Sequence, residues 1–175
     1  MSQRIMHETR HSLRNAAREV LEFVFASELL DPSDCLWMVF PRLGNVPLLD
    51  NTTGAFASLC ADFPRTIIPL ASLLRELASR GTHLVLVTSP GGGAKQLASA
   101  LGGHLGPLAG QRIRAIEQEP MPTRGLVGAR FSLRGGLNLL DDGALWPDQP
   151  VTFSVELGHV RDLRMDFEKE YGACP

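Results

Sequence analysis

His83-Leu-Val-Leu-Val-Thr88 is a continuous apolar run, entered past Gly81 and left through Ser89-Pro-Gly-Gly-Gly-Ala-Lys95. A run of this kind fills a parallel strand covered on both faces, since neither side of it suits water. Just upstream, Ile67 to Arg80 sets Leu70, Leu73, Leu74 and Leu77 on one helical face, and Gly81 stands where a C-terminal cap belongs. Downstream, Ala94 to Leu101 reads as a short helix, and Arg112 to Glu117 as another strand anchored by Ile113 and Ile116. This alternation predicts an α/β layered fold, with a mixed sheet flanked by helices on both faces.

Further out, Leu13, Ala17, Val20, Leu21, Val24 and Leu29 recur at spacings of three and four between charged residues. That spacing predicts an amphipathic helix from Glu8 to Leu30. Asp31-Pro-Ser-Asp34 stops it, because proline disfavours helical geometry in the residue before it. A buried strand follows over Cys35 to Phe40. Pro41 to Pro64 carries too many breakers for a long element and reads as loop, with a short helix over Ala55 to Cys60. Gly125 to Gly128 and Arg130 to Leu133 form a hairpin by pattern, Val151 to Glu156 a half-solvated or edge strand, and Leu157 to Tyr171 a closing helix with one charged side.

At 175 residues the chain is one domain with a real core, without internal repeats or an evident linker. Its 17 basic and 19 acidic residues leave a formal charge of −2, so any contact with nucleic acid has to be local. Only Lys95 and Lys169 among the basic residues are lysines. Cys35, Cys60 and Cys174 are odd in number and lack a C-x-x-C spacing, so the expectation is free thiols in a reducing cytosol, with neither a disulfide framework nor a zinc site. Without a signal-type N-terminus or a run of about 20 apolar residues, the chain is expected to be soluble, cytoplasmic and free of membrane.

Few residues offer chemistry. The Ser89–Lys95 loop lies between a strand and a helix, where backbone N–H groups can cradle an anion. It lacks the spacing of a nucleotide-binding P-loop, and a flexible connection is the plainer reading. The five histidines, 7, 11, 83, 104 and 159, include one local pair, His7 and His11, which lacks a further metal ligand. Ser89 and Ser132 stand outside any G-x-S-x-G context. Gln111 to Arg134 is locally basic, and strand positions would array Arg112, Arg114, Arg124, Arg130 and Arg134 along one edge able to hold phosphates. The competing reading is a solvated face balanced by eight acids against three basic residues between Asp141 and Glu170.

The same segment, Met121-Pro-Thr-Arg-Gly-Leu-Val-Gly-Ala-Arg-Phe-Ser-Leu-Arg-Gly-Gly-Leu-Asn138, resembles the H-x-K-x4-D-x6-G-S-x-N signature of the phospholipase D superfamily. With Ser27–Trp37, Val46–Asn51, the strand His83–Thr88 and a closing helix bearing Phe167 and Tyr171, the resemblance covers nearly the whole chain. In that frame the chain is similar to the small phospholipase D-like proteins of bacterial gene clusters for 7-deazapurine DNA modification and restriction. The resemblance implies a histidine nucleophile, a phosphate-holding lysine and an assisting asparagine. Here the nucleophile position is Pro122, the lysine position Arg124, the aspartate position Ala129, the Gly-Ser pair Gly135-Gly136 and the asparagine Asn138.

Proline has no nucleophile, whereas a guanidinium still matches a phosphate. The resemblance also implies a homodimer, because the active centre combines two such motifs. The expectation is a degenerate phospholipase D-like protein without cofactor or metal, serving as a non-catalytic binding or assembly subunit in DNA modification or phage defence. Its contacts would be a protein partner, or a nucleic-acid backbone through Arg124, Arg130, Arg134 and Asn138. Two other readings stand beside it: a metal-independent, homodimeric phosphodiesterase or nuclease using His104 or His83 as substitute nucleophile, and an oligomeric structural subunit.

Overall fold

Apolar residues on both sides of a strand need two covering layers, and the computed structural model supplies them for His83–Thr88. It describes residues 3–5 and 10–175, with side-chain surroundings from residue 14 onward. His7 lies outside the described residues, and His11 falls where only the backbone is described. The elements in chain order are β1 (Gln3–Ile5), α1 (Arg10–Leu30), β2 (Cys35–Val39), β3 (Pro47–Asp50), β4 (Ile67–Pro69), α2 (Leu70–Ser79) and β5 (His83–Thr88). Then come α3 (Ala94–Leu105), a one-turn 3₁₀ segment, α4 (Ala109–Arg112), β6 (Ile113–Glu117), β7 (Gly125–Val127), β8 (Ser132–Arg134), β9 (Leu137–Leu139), β10 (Leu145–Pro147), β11 (Thr152–Ser154) and α5 (Leu157–Tyr171).

Seven strands form one mixed sheet in the order β1-β11-β8-β7-β2-β5-β6. β2, β5 and β6 run parallel, and β7, β8, β11 and β1 continue the sheet antiparallel. The side-chain period of two sends Leu36, Met38, Leu84, Leu86 and Leu126 to one face, under Leu21, Val24 and Phe25 of α1, Leu73, Leu74 and Leu77 of α2, and Leu97 and Leu101 of α3. Cys35, Trp37, Val39, Val85, Val87 and Val127 go to the other, under Val160, Leu163, Phe167 and Tyr171 of α5. The chain is thus a single α/β domain with helices on both faces of a mixed sheet.

Boundaries moved where local chemistry outweighed the pattern. The helix expected from Ile67 begins at Leu70, because Pro69 adopts extended geometry (φ −78°, ψ 158°) and Ile67–Pro69 pairs with β3. Its end is as the glycine indicates: Gly81, at φ +114°, donates to Ala78 O, and Thr82 N donates to Leu77 O. Residues 55–60 make turns rather than a helix. β11 is not an edge strand, since β1 pairs beyond it.

The cysteine expectation is overturned. Cys35 and Cys174 form a disulfide across 139 residues of sequence, their Cα atoms 6.4 Å apart, and Cys60 alone is free and buried. Counting and local spacing carry no information on a pair that the tertiary fold closes, here by returning the tail after α5 to the amino end of β2. The cysteines therefore no longer argue for a reducing compartment. Among the described residues, no helix is long and apolar enough to cross a membrane.

Candidate functional site at the carboxyl end of the parallel strands

Parallel strands end together, and the segment that leaves β2 is knitted both to the one that leaves β5 and to the end of β9. Leu43 N donates to Gly92 O (2.8 Å), Gly44 N to Leu139 O (2.6 Å), Leu139 N to Arg42 O (3.1 Å) and Ser89 N to Pro41 O (3.3 Å). The Ser89–Lys95 loop is consequently tied at Ser89 and Gly92 to the segment that leaves β2, with Pro90 and Gly91 exposed. A Cβ on Gly92 would collide with the Pro41 carbonyl, and Gly93 opens α3 at φ +106° with its Cα facing the Leu43 carbonyl.

Beside this joint lies a cavity of about 530 Å³, within the range of small-molecule sites. Arg42, Asn45, Gln96, Gly91–Gly93, Asp141 and Asp142 contribute to its wall. Asp141 Oδ1 accepts from Asn45 N (3.0 Å) and Asp142 Oδ1 from Ala144 N (2.9 Å). Arg42 is exposed and, among the described residues, has no ion pair, in contrast to Arg124, Arg130 and Arg134. The sequence carried a weak signal for this place, in the breakers Gly44-Asn45 directly after a buried strand.

The motif segment reaches the same end of the sheet. β7 is antiparallel to β2, with Gly125 opposite Val39, so Pro122 to Arg124 lie just past the carboxyl end of β2, and Ser89 Oγ meets Met121 Sδ at 3.6 Å. Pro122 is exposed. Arg124 is held by Asp148 Oδ2 (3.1 Å) and by Met121 O (3.3 Å). Gly135 N donates to Arg124 O, and a Cβ on Gly136 would collide with the Asp148 carboxylate. The same acid that takes Arg124 thus fills the space a serine at position 136 would need. Asn138 sits in β9 opposite Trp146 of β10, and its buried Oδ1 has no hydrogen-bond donor.

The arginines are not arrayed along one edge. Arg114 is on the edge strand β6, where it donates to Tyr171 O and Gly172 O (3.0 Å each), and Arg112 donates to Gly81 O. Arg134 pairs with Asp166 at 2.6 Å over α5. Ala129 and Arg130 lie at the opposite end of the β7–β8 hairpin: Ala129 N donates to Ser33 Oγ (2.7 Å), and Arg130 meets Asp31 and the buried Glu28. Burial pushes the Glu28 carboxyl above its ordinary range, against hydrogen bonds from Ser33 N and Oγ and the charge of Arg130. The physical reason is strand order, which interposes β2 and β5 between β7 and β6.

His83 begins β5 at the amino end of the sheet, away from the motif. His104 lies in the last turn of α3, about 15 Å along the helix from the loop at 1.5 Å per residue. A further pair, Ser154 Oγ and His159 Nδ1 at 2.9 Å, was missed in the sequence; Ser154 is buried and its Oγ already accepts from Glu156 N at the start of α5, a helix-end arrangement. Among the described residues no group of three or more His, Cys, Asp and Glu side chains is placed to hold a metal.

No family model and no curated protein matches the chain. Among solved structures, TrmBL2, an archaeal chromatin protein that shows a novel mode of DNA binding, matches with a TM-score of 0.52 and 6% identity over 98% of this chain and 52% of that one. The likeness is one of fold, and this chain spans about half the length of that protein.

Proposed function

We propose that this chain is a degenerate phospholipase D-like domain that serves as a non-catalytic binding or assembly subunit of a bacterial DNA-modification or phage-defence system, holding backbone phosphates at the carboxyl end of its parallel strands. The observation that carries the reading is the arrangement around Asp148. In the segment that resembles the motif, the nucleophile position falls on the exposed Pro122, and Asp148 takes the guanidinium of Arg124 with its carboxylate lying where a Cβ on Gly136 would be. Binding is the chemistry left to such a site. Arg42, which shares the cavity wall with Asp141 and Asp142 but pairs with neither, is the first contact for a phosphate, and Arg124 becomes a second by exchanging Asp148 for it, since a partly exposed ion pair holds weakly. Arg134, opposite Gly125 at the same end of the hairpin, and Asn138 complete the proposed contacts, whereas Arg130, held by Asp31 and Glu28 at the other end, lies apart from them. DNA binding belongs to TrmBL2; for this chain it rests on these residues.

The test is anisotropy of labelled single- and double-stranded DNA across a salt series, beside metal-free hydrolysis of bis-p-nitrophenyl phosphate. Affinity should fall steeply with salt, without turnover, and Arg42→Ala and Arg124→Ala should each lower the slope of log K against log salt by about 1. Unchanged binding in the double variant would sink the phosphate reading. Turnover lost in Arg124→Ala would reveal a working centre. The mass in solution tests the homodimer that two motif copies would require, against 19.1 kDa for one chain.

A further inference from the structure

The end of α5 grips the motif segment at one residue. Glu170 accepts from Thr123 N (3.3 Å) and Thr123 Oγ (2.6 Å), and Tyr171 OH donates to Thr123 O (3.0 Å). Thr123 lies between Pro122 and Arg124, so its position sets theirs. Burial, with the adjacent Glu170 charge and hydrogen bond, raises the Tyr171 hydroxyl above its ordinary pKa, so it stays a donor. Three residues on, Cys174 is bonded to Cys35 in the buried first position of β2, and Arg114 holds the carbonyls of Tyr171 and Gly172 between them.

Beneath this helix end the packing is close but one hydrogen bond is missing. The Trp37 indole N–H is buried without an acceptor under the Phe167 ring, whose centroid lies 6.2 Å away. An orphaned donor weakens the layer that covers it. The seat of α5 therefore leans on its covalent tie.

We infer that the Cys35–Cys174 disulfide is a redox latch that fixes the end of α5 and, through Glu170 and Tyr171, the Met121–Arg124 segment. Reduction is written for a dithiol. One of its thiolates attacks the half-buried Cys174 sulfur, and the S–S bond breaks as Cys35 leaves and takes a proton. The dithiol's second thiol then attacks its own sulfur and frees Cys174, which also takes a proton. Two electrons and two protons pass to the protein, and the dithiol becomes a disulfide. With the bond open, the tail keeps Arg114 as its anchor, and Thr123 loses a fixed partner. That the segment binds phosphate rests on the reading above; that it is latched does not.

The experiment is amide hydrogen exchange by mass spectrometry on the whole chain, compared as isolated under non-reducing conditions, after dithiothreitol, and as the Cys35→Ala/Cys174→Ala variant. Opening the bond should speed exchange at Thr123, Arg124 and the last turn of α5 at least tenfold and leave β5 and α2 unchanged. Tyr171→Phe with the disulfide intact should speed Thr123 and Arg124 and spare the tail. Equal exchange at Thr123 in both redox states would overturn the latch. So would acceleration spread evenly into β5, which marks a staple of the whole fold, or alkylation of Cys174 without reductant. No ligand enters the readout, so a failed DNA assay leaves this result standing, and the reverse.

Discussion

The two faces of the sheet are held by different physics. Under α1, α2 and α3 the contact is apolar and continuous, Phe25, Leu73 and Leu77 meeting Leu36, Met38 and Leu86, and burial of this kind is non-directional and summed over many atoms. Under α5 the apolar set is small, and the rest of the hold is directional: Arg164 to Asp34, Arg134 to Asp166, Glu170 and Tyr171 to Thr123, and the disulfide. A sum over many contacts cannot be switched at one atom. A handful of directional ties can, and it is the second face that borders the Met121–Arg124 segment, whereas the cavity beside Arg42 is lined by α2 and α3 of the first.

The comparison is most exposed at Phe25, which is fully buried in the larger cluster. Phe25→Ala should cost about 3–5 kcal/mol in urea unfolding followed by circular dichroism, whatever the redox state. A loss below about 1 kcal/mol would show that the three-helix face is not the seat of stability. Next comes the double replacement Cys35→Ala/Cys174→Ala, expected to cost about 2–4 kcal/mol, since the bond closes a loop of nearly the whole chain. Loss of Trp37 shielding before the main transition would sharpen the contrast, and coincident transitions would weaken it.

Much of the larger face was legible because its signals are local and repeated. Leu70, Leu73, Leu74 and Leu77 at helical spacing, and His83–Thr88 as an apolar run, identify helix, strand and layer without knowledge of partners. The short strands β3, β4, β9 and β10 were not legible, for at three or four residues each is too short to show a period. The site fared likewise. Pro122, Arg124 and Asn138 stood out as residues, but Asp148, which occupies Arg124, lies 24 positions on and belongs to no pattern. The sequence cannot show which acid answers which arginine, and so the array expected for Arg112 to Arg134 dissolved into separate pairs. The disulfide was hidden for the same reason.

A smaller effect probes the tie between α5 and the motif segment. Tyr171→Phe keeps the ring against Phe167, at 5.8 Å between centroids, and removes the hydroxyl that Thr123 O accepts from. The expected cost is about 1 kcal/mol, the worth of one intramolecular hydrogen bond. In the large cluster a substitution that deletes no carbon would have no counterpart, so a measurable loss here is evidence for directional hold.

The smallest effect carries the clearest sign. Burial alone would raise the Asp34 carboxyl, but the Arg164 hydrogen bonds and charge outweigh it and hold the group below its ordinary value of 3.8. A folded value below the unfolded one means stability that is fully present above the unfolded value and is lost as pH falls through the folded one. The pair is surface-exposed, 24% on Arg164 and 71% on Asp34, so its worth is at most about 1 kcal/mol and shrinks with salt. Asp34→Asn should therefore lower stability slightly at pH 7 and flatten its decline below pH 4, whereas Phe25→Ala should leave that slope as it is. If Asp34→Asn shows the wild-type slope and no loss at low salt, this tie adds nothing to the one-helix face. The directional hold of α5 would then rest on the disulfide, on Arg134–Asp166 and on the contacts at Thr123.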